Sequence, residues 1–96
     1  MIAKKVKRPY FVVYKDEIVS LGADAALLLA ELRFLSSRFK KDDSGYFSVF
    51  GSYIKEQLGF GHTKYYHALE TLIKAKKIDY ISGKNQNVKS RYKIVL

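Results

Sequence analysis

Apolar residues recur at helical spacing from Ala23 to Phe39, the strongest periodic segment of the chain. Leu28, Leu32, Leu35 and Phe39 share one stripe, and Leu27 and Phe34 widen it, so this helix is expected to be covered on more than one side. Gly22 can serve as its N-cap, and Asp24 lies in its first turn, where negative charge meets the positive end of the helix dipole. A second segment, GSYIKEQL, puts Ile54 and Leu58 four apart on one helix face, and Gly59 follows where a left-handed helix end favours glycine. Phe60 is a lone apolar plug, and Gly61 permits a sharp turn into a further helix over 61–75. In that helix Tyr65, Leu69 and Leu72 form a narrow apolar seam with Ala68 between them. His62, Thr63, Lys64, Tyr66, His67, Glu70, Thr71 and Lys74 make up its long polar face.

The period then changes from helical to alternating. Ile78–Ser82 (IDYIS) and the run VKSRYKIVL read as two strands joined by GKNQN, which is strong turn chemistry. Upstream, Tyr46–Phe50 (YFSVF) is a short strand expected to pair with them, after the polar turn KKDDSG. Lys15–Leu21 (KDEIVSL) reads as one helical turn and Tyr10–Tyr14 (YFVVY) as a β-like run. Helix, strand, helix, helix, strand, strand is the order of an α+β winged helix-turn-helix: three main helices, a small antiparallel sheet and a β-hairpin wing. The expected organisation is a basic N-terminal tail over 1–9 and a single domain over 10–96.

Charge gives this architecture a direction. The chain carries 18 Lys and Arg against 9 acidic residues, a net charge of +9, which favours nucleic acid or an anionic membrane surface as partner. Lys74, Lys76, Lys77, Lys84, Lys89, Arg91 and Lys93 face Asp79 alone across the hairpin region. Lys4, Lys5, Lys7 and Arg8 read equally as an arm along a phosphate backbone or as a solubilising tail. No run approaches the ~18 apolar residues of a membrane span, and Met1–Arg8 lacks the apolar core of a signal peptide, so no membrane partner and a cytoplasmic location are expected. Cysteine is absent, which excludes disulfides, thiolate metal sites and a Cys nucleophile.

Thr63, Lys64, Tyr66 and His67 are the expected base-edge or phosphate contacts of the last helix, because the N-terminal part of a recognition helix enters the major groove, and Lys74 on the same polar face is a further expected DNA contact. Lys84, Lys89 and Arg91, read as lying at or near the hairpin tip, are expected on phosphates or in a minor groove, against the alternative of a cationic edge that prevents aggregation. Asn85, Gln86 and Asn87 read as turn formers. Tyr46, Tyr53, Tyr66 and Tyr80 are candidate platforms for unpaired bases, or ordinary half-buried sheet and core residues. His62 and His67 are five apart and do not share a helix face, so no metal and no cofactor are expected. The adjacent pairs Asp16/Glu17 and Asp42/Asp43 are poorly arranged for acid–base work, and no P-loop, HExxH or GxSxG occurs; no enzyme is expected.

Taken in order, FVVYKDEI, LGADAALLLAEL, DDSGYFSVF, IKEQLGF, KYYHALETLIKAKKI and GKNQNVKSRYKI resemble the winged-helix domain at the N-terminus of plasmid and phage replication initiators of Gram-positive bacteria. The resemblance runs from about Phe11 to Ile94. Phe50 and Gly51 stand where such domains usually place a Ser or Thr cap, and Lys76 where they often have Gly. The C-terminal part of an initiator is missing after the wing, so the expectation is a domain of a longer protein or a free-standing small relative. The resemblance implies a DNA-binding protein of a bacterial mobile element, acting in replication or its control, as monomer or homodimer. Double-stranded DNA is the favoured partner, single-stranded DNA is possible, and replication proteins are further candidates. The alternatives are a transcriptional repressor, a single-strand-binding accessory, or a module that docks a replication protein.

Overall fold

The computed structural model describes residues 12–85 and 87–95. The order is α1 (Lys15–Leu21), α2 (Ala23–Arg38), β1 (Phe47–Val49), α3 (Gly51–Leu58), α4 (His62–Lys74), β2 (Ile78–Ile81) and β3 (Ser90–Ile94). The chain is therefore α+β, with four helices and a three-stranded antiparallel sheet among the described residues, an arrangement compatible with a winged helix. The 1–9 tail lies outside the described residues, as do Tyr10 and Phe11 of the β-like run. Val12–Tyr14 form no strand. Tyr14 instead caps α1, its carbonyl accepting the N–H groups of Glu17 and Ile18.

α1 runs for seven residues rather than one turn, with Asp16 and Glu17 favourably placed in its first turn. It buries no residue of its own. What ties it down is a bidentate ion pair from Arg33 of α2 to Glu17, at 2.7 and 2.8 Å, with Leu21 packed against the core. Gly22 follows at φ 92, ending α1 and capping α2 in one residue, a conformation that costs a side chain dearly.

α2 is the central helix. Ala25, Ala26, Leu28, Leu29, Ala30, Leu32 and Leu35 are all buried, which confirms cover on more than one side. Phe39 departs from the expected stripe: it is the C-cap, extended and 37% exposed, with its ring edge against Phe47 at 6.5 Å. Glu31 is a buried carboxylate that apolar periodicity did not flag, and desolvation raises its pKa.

Asp42 folds the turn into β1. Its Oδ1 accepts N–H bonds from Ser44 and Tyr46 at 2.9 and 3.0 Å, and these bonds hold its carboxyl below the usual range. The sheet order is β1–β3–β2. Phe47, Tyr80 and Tyr92 face the core in register, while Ser48, Ile81 and Arg91 pair on the outer face. Tyr92 stacks on Phe47 at 5.7 Å and against Tyr80 at 5.2 Å. Its hydroxyl meets that of Tyr65 from α4, so two fully buried phenols satisfy one another in the middle of the core.

Candidate nucleic-acid interface

The step from α3 to α4 is built as its residues require. Gly59 sits at φ 69, and the N–H groups of Gly59 and Phe60 bond back to the carbonyls of Glu56 and Lys55. Phe60 then plugs into the core, and Gly61 in extended geometry starts α4 at His62. Tyr65, Ala68, Leu69 and Leu72 are the buried face of α4, as their spacing predicts. Its C-terminus closes with the same pair of bonds, from Lys76 N–H to Ile73 and from Lys77 N–H to Leu72. Here the left-handed residue is Lys76, at φ 58, so the departure from Gly seen in the sequence carries a real backbone strain. The other departure, Phe50 before Gly51, leaves α3 without a side-chain cap.

Thr63, Lys64, Tyr66, His67 and Lys74 all project from the exposed side of α4. Lys64 Nζ rests 5.6 Å from the Phe60 ring. Tyr66 is 41% exposed, with its ring 4.6 Å from His62 and edge-on to Tyr65 at 4.8 Å. Lys74 stands 3.9 Å from Glu70, an exposed pair worth little. Lys84 and Lys89 lie exposed in the loop between β2 and β3, and Lys89 Nζ stands 5.6 Å over the Phe50 ring. Asn85 does turn work: its side chain accepts the Asn87 N–H at 2.8 Å and its carbonyl the Val88 N–H at 3.0 Å. Gln86 lies outside the described residues.

A cleft lies between the start of α3, α4 and the hairpin. Phe50, Gly51, Ser52 and Lys55 from the start of α3, Tyr66 from α4, and Ser82, Gly83, Asn85, Val88 and Ser90 from the hairpin line it together. Ser52 and Lys55 carry no signal in the sequence, and Phe50 stands out there only as a departure from a Ser or Thr cap, because nothing local signals that the start of α3 reaches the hairpin. Their neighbourhood is a product of how α3 and the sheet pack on α2.

Arg91 is a correction to the expected wing tip. It is a strand residue in the middle sheet position, opposite both Ser48 and Ile81. Its side chain lies on the outer face, 3.9 Å from Asp42 and 5.9 Å from the Tyr46 ring. Strand alternation, with buried Ser90 and Tyr92 on either side, turns it away from the core. The tyrosines divide likewise: Tyr80 is half-buried on the core face, Tyr46 lies beside Arg91 and Lys93, and Tyr53 and Tyr66 stay about 40% exposed. Among the described residues, no group of three His, Cys, Asp or Glu side chains converges on a metal position, and no helix is long and apolar enough to cross a membrane. No family model matches the chain, and neither a curated protein nor a solved structure is significantly similar to it.

Proposed function

We propose that the chain is a winged helix-turn-helix DNA-binding domain, with α4 as recognition helix and the β2–β3 hairpin as wing. The observation that supports this best is the shared cleft, in which Tyr66 of α4 meets the hairpin loop. Thr63, Lys64 and His67 lie exposed on α4, and Lys84 and Lys89 lie exposed in the hairpin loop, so polar and cationic groups stand on both elements that line it. A helix face of this kind offers donors to base edges, and the loop lysines neutralise phosphates beside it. In this reading Lys55 joins the phosphate contacts and Arg91 leaves the tip. Action in replication, or its control, on a bacterial mobile element rests on the resemblance to plasmid and phage initiators.

The test is fluorescence anisotropy with mixed-sequence duplex and single-stranded oligonucleotides across a salt series. Tight duplex binding with a steep negative salt slope is expected. Replacing Lys84 and Lys89 by Ala weakens all sequences alike and flattens the slope by about 2. Replacing Lys64 or His67 changes which sequences bind. A protein that binds neither form of DNA is a protein-docking module instead, and the reading falls.

One observation favours a second reading. Tyr53 and Tyr66 are exposed aromatics, and the half-buried Phe50 carries Lys89 over its ring, all at the start of α3 and α4. Aromatic faces interleaved with lysines stack unpaired bases without reading their sequence. Preference for single strands, lost in Tyr66→Ala, would select that mode of binding over groove docking.

A further inference from the structure

We infer that the outer face of the sheet at its β1 edge is a second nucleic-acid surface, one that holds the continuation of the same DNA tract bound by α4 and the hairpin loop. The inference rests on the DNA-binding reading above. The sheet order β1–β3–β2 puts β3 between β1 and the strand that packs beside α4. The outer β1 edge is therefore a different surface from the α4 and hairpin cleft.

Its chemistry is cationic and aromatic. Arg91 and Lys93, two apart on β3, place their charged groups 5.9 and 5.7 Å from the ring of Tyr46. Phe39, Lys40 and Lys41 line a shallow groove with the same tyrosine. Lys40, Lys41 and Lys93 take part in no ion pair among the described residues. Asp42 is the acid within the groove, but its Oδ1 is engaged by the N–H groups of Ser44 and Tyr46, and it meets Arg91 only at 3.9 Å. The two cations held over the ring, with the lysines beside it, offer the phosphates of a passing DNA tract a cluster of counter-charge. The tract that reaches it must extend past the footprint of α4 and the loop, so the surface matters for long ligands and not for short ones.

The test compares the intact chain with K40Q/K41Q/K93Q and with K84Q/K89Q, each checked for an unchanged thermal melt. Anisotropy is read on DNA of roughly 8 and roughly 30 nucleotides, spanning the lengths that small domains cover. We expect K40Q/K41Q/K93Q to match the unsubstituted protein on the short DNA within about 2-fold. On the long DNA it should bind on the order of 10-fold more weakly, with the salt slope flatter by 2 or so. K84Q/K89Q should lose affinity at both lengths. Equal affinity of K40Q/K41Q/K93Q and the unsubstituted protein at both lengths, with K84Q/K89Q impaired, overturns the second surface alone. Equal loss at both lengths also overturns it, since the lysines then belong to the first footprint. Absence of DNA binding by the unsubstituted protein overturns both readings together.

Discussion

At the scale of single residues, the pair of hydroxyls from Tyr65 and Tyr92 is the most exacting feature of the core. Removing the Tyr92 hydroxyl leaves that of Tyr65 buried without a partner, which costs about 1–3 kcal/mol, and removing that of Tyr65 leaves Tyr92 with Ser90 alone. Removing both replaces the pair with two apolar rings of nearly the same shape. Tyr65→Phe and Tyr92→Phe are thus each expected to lower the urea midpoint, and the double variant to lose less than the two losses combined. Burial also pushes both phenols above the ordinary tyrosine range, so they stay protonated in the folded chain while the unfolded chain titrates. Their contribution is complete below about pH 10 and is lost as pH rises beyond it, because the unfolded state gives up its protons first. Urea melts from pH 8 to 11 should show that fall, and the double Phe variant should show a shallower one. Lys76 is the opposite case, a residue that its backbone disfavours. Lys76→Gly relieves the left-handed strain and is expected to stabilise the chain by about 0.5–1 kcal/mol after the entropy of glycine is subtracted. A lower urea midpoint for Lys76→Gly would mean that the lysine stem contributes packing that outweighs the strain.

At the scale of elements, the hairpin loop is shaped by contacts within itself. Gly83 donates its N–H to Ser90 Oγ, and a Cβ on Gly83 would fall on the backbone carbonyl of Val88. Gly83→Ala must move backbone against backbone, so the loop that carries Lys84 and Lys89 shifts while the core is untouched. The expected outcome is a melting temperature within a few degrees of the unsubstituted chain and a DNA affinity reduced on the order of 10-fold. A large loss of melting temperature instead would place Gly83 in the folding core rather than in the shaping of the hairpin loop. Elements were also where the chain was most legible. Periods of 3.6 and 2 mark α3, α4 and the strands to within a residue or two at their ends, because each buries one face, and a long apolar run marks α2, which is buried on more than one side. α1 was under-read for the complementary reason: it buries nothing, and its anchor is an ion pair from Glu17 to a residue 16 positions away. No local pattern announces such a partner.

At the scale of the whole molecule, the proposed DNA binding should owe more to the net charge of +9 than to any one contact. If about five lysines reach phosphates, the logarithm of the binding constant should fall with the logarithm of salt at a slope near −4 to −5 on duplex DNA. A slope near zero would show that the charge is incidental. How that charge is distributed is a tertiary matter. Composition and periodicity alone determined the class of the chain, the order of its elements, the buried face of α4 and the basic character of the hairpin, since these depend on neighbours within a few residues. That the start of α3 faces the hairpin loop, that Glu31 is buried, and that Arg91 turns to the outer sheet beside Tyr46 and Asp42 were decided only by the fold. Each depends on sheet register and on helices packing across α2, and such contacts join residues too far apart in the chain for any local period to encode.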